Sequence, residues 1–234
     1  MTANTCRCGA TLDPLTLSVL GRELVLHKTS CADCIERQRA EERAAEQERA
    51  KRERQDVIDA KLRRIPRRFR DANCDHQASR SWLESYLAGE RRSLLLMGPV
   101  GTGKTHQLWG LYRALVERRP NLYVEVWSVP TLLDLLRPGG DEDVLDWILT
   151  ASVIMLDDLG AEHPSSWTIE RLFRIIDHSW ERGIPIIATT NTPRQHLAAA
   201  IGERSASRLL DPEMTDVVVL RGVDRRHEKD RQAS

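Results

Sequence analysis

Gly98-Pro99-Val100-Gly101-Thr102-Gly103-Lys104-Thr105 fills the spacing G-x-x-x-x-G-K-[ST] at every fixed position. Residues of these types, so spaced, do phosphate chemistry. The glycines let main-chain N–H groups close around phosphate oxygens, and a helix N-terminus behind them adds partial positive charge. Lys104 then reaches the terminal phosphates and the Thr105 hydroxyl meets magnesium. The motif needs a strand before it and a helix after it. Leu94 to Met97 is an apolar segment suited to a buried strand, and Thr105 to Arg118 runs without an internal proline.

Magnesium on a nucleotide needs a hard oxygen ligand close by. Val153-Ile154-Met155-Leu156-Asp157-Asp158 is an apolar strand ending in two carboxylates. Asp157 can supply the ligand directly or through water, and Asp158 is placed to orient or deprotonate an attacking water. Ile186-Ile187-Ala188-Thr189-Thr190-Asn191 is a further strand ending in polar residues, with Asn191 able to bond the same water and the γ-phosphate. Farther on, Arg204 and Arg208 stand one helical turn apart on one face. Taken alone, two such arginines read as surface charge.

A second chemistry lies at the N-terminus. Cys6 and Cys8, then Cys31 and Cys34, form two close pairs separated by Leu15 to Leu20, Gly21, and Leu24 to His27, which read as a short hairpin. This is the layout of a zinc ribbon, in which four thiolates bind one zinc tetrahedrally and stand in for a core too small to fold alone. The first pair has the tighter C-x-C spacing, so the alternatives are four thiolates or a site in which His27 replaces one. Cys74 stands apart and reads as a packing residue.

These groups need a scaffold. Leu122 to Val129, Val153 to Leu156, Ile184 to Thr189 and Val217 to Leu220 read as strands, Asp141 to Leu149 and Ser166 to Arg182 as helices. Strands alternating with helices predict a parallel sheet covered by helices on both faces, an α/β fold of the P-loop type. From Glu36 to Arg54 nearly every residue is charged, Gln or Ala, with pairs such as Glu48 and Arg52. That is a solvated helix or a linker, with a partner-binding helix as the alternative. Ile65-Pro66-Arg67-Arg68-Phe69-Arg70 then marks a domain boundary. The organisation expected is a head over 1–35, a charged helical linker over 36–64 and the main domain over 65–234. Arg63, Arg64, Arg67, Arg68 and Arg70 form the densest basic cluster, either solvated or touching phosphate backbone.

The 234 residues suffice for one sizeable domain and a small appendage. Lys plus Arg and Asp plus Glu are both 35, so overall charge does not argue for nucleic acid or membrane. No apolar run approaches a membrane span, and the polar start lacks a secretory signal, which reads as cytoplasmic.

The segments GPVGTGKT, VIMLDDLG, IIATTN and GERSASRLLD occur in an order and spacing that resembles the DnaC/IstB-like branch of the AAA+ ATPases, over roughly Ile65 to Arg226. The resemblance implies an ATP-binding loop running from Gly98 to His106, a Walker B pair at Asp157 and Asp158, and sensor 1 at Asn191. It implies an arginine-finger region at Arg204 and Arg208, with Arg208 favoured. The segment Ile65 to Ala72 is similar to one that lies near the adenine in that family, which points to Phe69. The stretch Val219 to Arg226 resembles its closing strand, with Arg226 as a nucleotide-sensing arginine. Little or no C-terminal helical lid is expected after the last strand.

The paired cysteines and charged linker are similar to the helicase-binding head of bacterial and phage helicase loaders. The implied function is an ATPase that self-associates into an arc or ring, contacts single-stranded DNA and delivers a hexameric replicative helicase, with no role for a membrane. Three other readings stand beside it. They are a transposition helper acting on duplex DNA with a transposase, a small-molecule kinase, and a non-hydrolysing adaptor switched by nucleotide. The paired Asp157 and Asp158, Asn191 and the two arginines argue against the kinase.

Overall fold

The computed structural model describes residues 5–19, 22–26, 28–140 and 143–222, and the chain divides into two compact units, 1–56 and 57–234. In the first unit Leu15–Val19 (β1) and Arg22–Leu26 (β2) pair antiparallel, with Leu15 opposite Leu26 and Leu17 opposite Leu24. This is the hairpin expected between the cysteine pairs. The charged run that follows is helical. It lies within Ala32–Leu62 (α1), 31 residues with no apolar stripe and one buried residue, Ile58. Its strong helix formers and pairs such as Glu48 with Arg52, 3.4 Å apart, suffice for a helix that buries no face of its own.

The second unit takes in the last turns of α1. Lys61 Nζ donates to the carbonyls of Pro120 at 2.5 Å and Leu122 at 2.7 Å, and the Tyr112 hydroxyl donates to the Lys61 carbonyl at 3.0 Å. Within the basic cluster, Arg64 pairs with Glu125 at 3.5 Å and Arg68 lies 5.4 Å above the Phe69 ring.

The sheet of this unit has five strands, Ser93–Met97 (β3), Val124–Ser128 (β4), Val153–Asp157 (β5), Ile186–Thr190 (β6) and Thr215–Val219 (β7). They lie in the order β4-β5-β6-β3-β7 and all pair in parallel. Strands buried on both faces are apolar throughout, and alternate residues sort onto opposite sides. Leu94, Leu96, Met155 and Ile187 pack against the end of α1, Gln77–Ala88 (α2) and Lys104–Arg118 (α3). Leu95, Met97, Ile154, Leu156 and Ala188 pack against Val129–Leu135 (α4), Asp143–Thr150 (α5), Ser166–Arg182 (α6), Leu197–Ile201 (α7) and Glu203–Leu209 (α8).

Several boundaries differ from the sequence expectation: β4 starts at Val124 and not Leu122, and the last strand, expected over Val217 to Leu220, is Thr215–Val219. Val129 opens α4 instead of closing a strand, because Pro130 follows it in the first helical turn, where its missing N–H costs nothing. The strand expected from Ile184 starts at Ile186 and runs on to Thr190. Asp141 and the segment 223–234 lie outside the described residues, and no described helix is long and apolar enough to cross a membrane.

Strand order is what makes a site. After β3 the chain crosses to the far edge at β4, steps back through β5 and β6, and ends at β7 on the other side of β3. The segments leaving the carboxyl ends of β3, β5 and β6 therefore emerge side by side, where parallel sheets hold their ligands.

Candidate functional site

The glycine loop leaves β3 at Gly98, whose N–H donates to the Thr190 carbonyl of β6 at 3.2 Å. A Cβ here would strike the Leu220 carbonyl, so only glycine fits. Gly103, at φ 91°, caps the N-terminus of α3 in the left-handed region that glycine adopts without strain. The open end of that helix thus faces the loop. Thr102 Oγ1 donates to the Pro99 carbonyl at 2.9 Å. Lys104 is 5% exposed, and its Nζ donates to the carbonyls of Gly98 at 2.9 Å and Pro99 at 2.8 Å.

The acidic turn at the end of β5 lies beside this loop. Asp157 Oδ1 accepts from Thr105 Oγ1 at 3.0 Å and from Thr189 Oγ1 at 2.6 Å. Burial pushes the Asp157 carboxyl above its ordinary pKa; the Thr189 hydrogen bond opposes the shift, and the neighbouring Asp158 charge adds to it. The Thr105 hydroxyl and the Asp157 carboxylate, which Thr105 and Thr189 orient, are hard oxygen ligands of the kind that suits a divalent cation. Asp158 itself sits at φ 60°, the single non-glycine residue with positive φ among those described.

A cavity of about 640 Å³ joins these parts. Val100, Gly101, Gly103, Lys104, Thr105, His106, Asp157, Asp158 and Asn191 line it together with Arg68 and Phe69. One end is aromatic, since the Phe69 ring stacks on Trp109 with centroids 6.5 Å apart. The other is polar, with the ammonium, hydroxyl and carboxylates of Lys104, Thr105, Asp157 and Asp158. An elongated molecule with a flat apolar end and an anionic end fits this distribution of groups.

Arg204 and Arg208 do not line that cavity. Both lie on α8, where Arg208 is paired with Asp177 of α6 and packs on Phe173 and Trp180, while the more exposed Arg204 lies 5.6 Å from the Phe173 centroid. Arg226 and His27 fall outside the described residues.

The four N-terminal cysteines converge. The sulfurs of Cys6, Cys8, Cys31 and Cys34 lie within 4.8 Å of one another, and the Cys31 N–H donates to Cys6 Sγ at 3.2 Å. Main-chain N–H groups of Cys8 and Cys31 hold the Cys6 thiol down to about 6, while the hydrogen-bonded sulfurs of Cys8, Cys31 and Cys6 push Cys34 up to about 12. The Cys6 thiolate forms easily while Cys31 and Cys34 resist ionising, which is the electrostatics that a divalent cation relieves. Four sulfurs at this spacing match a tetrahedral thiolate site. Cys74 packs at the edge of the core, its thiol raised to about 11 by burial.

Sequence reasoning passes over three contributors. Thr189 and Thr190 are fully buried hydroxyls at the end of an apolar strand. Gln107, 3% exposed on α3, accepts from the His76 N–H at 3.2 Å and donates to Asp75, tying the segment before α2 to the helix that carries Lys104. The available signal was hydroxyls and an amide at positions that patterning assigns to the core.

A parallel α/β sheet with a glycine loop closing on a lysine, an acid pair on the adjacent segment and Asn191 beside them is the architecture of an AAA+-like nucleotide-binding protein. The chain belongs to the family described as IstB-like ATP binding protein, which it matches over residues 23–233. It is 30% identical over 115 residues to the replicative helicase loader DnaI of Bacillus subtilis (strain 168), a match that covers 47% of this chain and 37% of that loader's length. Among solved structures, the DnaC helicase loader superposes with a TM-score of 0.59 at 26% identity, over 67% of this chain and 100% of that one. The DnaI crystal structure superposes at 0.55 with 23% identity, over 73% and 92% of the two chains.

Proposed function

We propose that this protein is an ATP-hydrolysing helicase loader, with a zinc-bearing head at 1–35, a helical linker at 36–64 and an ATPase domain at 65–234. The observation that carries the ATPase reading is the single cavity uniting Lys104, Thr105, Asp157, Asp158 and Asn191 with the aromatic Phe69. Phe69, Arg68 and His106 receive the adenine end. The main chain from Gly98 to Gly103 and the Lys104 ammonium hold the phosphates, with Thr105 and Asp157 as the residues that would hold magnesium. Magnesium, when bound, would neutralise charge on the phosphates. Asp158 takes the proton of the attacking water, and Asn191 orients that water against the γ-phosphate. Arg208, or Arg204 beside it, serves the site of a neighbouring subunit in an arc or ring, which accords with both lying outside this chain's own cavity. Cys6, Cys8, Cys31 and Cys34 hold one zinc and shape the head that meets a hexameric replicative helicase. Similarity to the loaders DnaI and DnaC supports this choice of partner.

The test is ATP turnover by the full chain, alone and with single-stranded or duplex DNA, together with capture of a purified replicative helicase hexamer. Turnover stimulated by single-stranded DNA and helicase capture lost in a Cys6→Ser/Cys8→Ser variant are expected. Stimulation by duplex alone, with no helicase capture, would instead establish the transposition-helper reading that the family match also supports. Nucleotide binding without turnover under any condition would leave an adaptor switched by nucleotide.

A further inference from the structure

Strand β6 is apolar until its last two residues, Thr189 and Thr190, both with 0% exposure. A buried hydroxyl left without partners costs about 1–3 kcal/mol, so hydroxyls retained here must be bonded. They are bonded to the acidic turn. Thr189 Oγ1 donates to Asp157 Oδ1 at 2.6 Å and accepts from the Asp158 N–H at 2.9 Å, while the Thr189 carbonyl accepts from the Leu159 N–H at 2.8 Å. Three successive residues of the turn hang on one residue of the neighbouring strand. Thr190 extends the connection, donating from Oγ1 to the Leu159 carbonyl at 2.6 Å and accepting at its own carbonyl from the Gly98 N–H at 3.2 Å.

Resting on the ATPase reading above, we propose that Thr189 is a positioning residue for hydrolysis that acts through both carboxylates. With Thr105 and Thr189 both donating to Oδ1, the Asp157 carboxylate cannot turn about its Cβ–Cγ bond without losing a hydrogen bond. Its second oxygen is thereby held in one orientation and carries neither of these bonds, which leaves it able to hold magnesium. The bond from the Asp158 N–H to the same hydroxyl pins the left-handed turn that aims the Asp158 side chain. One hydroxyl therefore sets the direction of the metal-holding acid and of the acid that meets water. It sits two residues before Asn191, which directly follows the end of β6.

The isosteric Thr189→Val removes donor and acceptor and keeps the volume, whereas Thr189→Ser keeps both and loses only a methyl group. Outer-layer partners of metal ligands are typically worth about 10–100-fold in metal affinity or activity. Thr189→Val is therefore expected to lower kcat about 10–100-fold while the KM for ATP stays within about threefold, and to raise the magnesium concentration needed for half-maximal rate. Thr189→Ser should restore both values even where it melts below Thr189→Val.

A binding readout accompanies these rates. A fluorescent ATP analogue should bind Thr189→Val as it binds the native chain in EDTA, but gain less affinity when magnesium is added. Native kcat and native magnesium dependence in Thr189→Val would overturn the proposal, as would a folded Thr189→Ser no faster than Thr189→Val. If the native chain binds the analogue yet never turns ATP over, the ATPase reading fails, and the magnesium dependence of binding still decides the role of Thr189.

Discussion

The carboxylate of Asp177 on α6 is paired with the guanidinium of Arg208 on α8, and that guanidinium also packs against Phe173 and Trp180, 4.9 and 5.2 Å from their ring centroids. Arg208 is thus held within its own chain, whereas Arg204 is exposed and meets only the Phe173 ring among these groups. Arg208→Ala should cost about 1–3 kcal/mol of stability, because it strands a half-buried carboxylate and removes two cation–π contacts. Arg204→Ala should stay within about 0.5 kcal/mol of the native chain. Urea unfolding of the two variants side by side checks the difference.

Assembly gives a second expectation. Arg208→Ala should leave ATP binding nearly intact while hydrolysis falls, since a trans arginine can be worth about 10³–10⁵ in rate. Lys104→Ala should lose ATP binding and remain folded, because the Lys104 ammonium contacts loop carbonyls and not the apolar core. Mixing the two, well below their melting temperatures, places an intact binding site beside an intact arginine. Some turnover should return. A mixture as inactive as its parts, although they co-assemble, would show that Arg208 does not act across subunits.

Burial of Asp157 gives a pH dependence whose sign is fixed. A carboxyl with its pKa raised on folding binds more protons in the native state, so stability falls as pH rises from the unfolded pKa toward the folded one. Below about pH 4 both states are protonated and the penalty vanishes. Asp157→Asn still accepts the two hydroxyl bonds and does not titrate. In EDTA it should melt above the native chain at pH 7–8, and the gap should close as pH falls toward about 4. A gap constant across that range would assign the difference to packing.

For the cysteine cluster, one equivalent of zinc per chain is expected, lost on Cys6→Ser or Cys34→Ser. Binding should release protons, mostly from the thiols that resist ionisation, of which Cys34 at about 12 is the extreme. Affinity should therefore drop steeply as pH is lowered. Chelation should loosen residues 5–34 without changing the melting of the unit from 57 onward. Calorimetry in two buffers of different ionisation enthalpy counts the protons, and metal analysis counts the zinc.

How much of this is legible in the sequence depends on how local each feature is. The phosphate loop is contiguous, so its spacing alone reveals it, and strands such as Leu94 to Met97 stand out because both faces of the sheet are covered. The cysteine pairs and their hairpin are close in sequence as well. Thr189 is different. In the sequence it reads only as a residue at the polar end of a strand, and the adjacency of β5 and β6 supplies its partners 31 and 32 residues away. The i, i+4 spacing of Arg204 and Arg208 is identical for a pair in solvent; what separates them is Asp177 and Trp180 on another helix, which meet Arg208. Helix α2 escapes a sequence reading because its buried face, Trp82, Leu83 and Tyr86, covers barely more than one turn, behind a cap made by the His76 ring.

The left-handed backbone at Asp158 restricts which acid can stand there. Aspartate and asparagine enter this region more readily than other non-glycine residues, because their short polar side chains bond locally. Asp158→Glu keeps the acidity but strains the backbone and moves the carboxylate by one methylene, so turnover should fall and folding stability with it. Asp158→Asn keeps the handedness and removes the proposed base, which should give a chain that melts like the native one and accumulates with ATP bound. Equilibrium melting and quenched-flow analysis of bound nucleotide distinguish the two. Mutational drift at position 158 is therefore filtered twice, once for acidity and once for chirality of the chain path. Glutamate passes only the first filter and asparagine only the second.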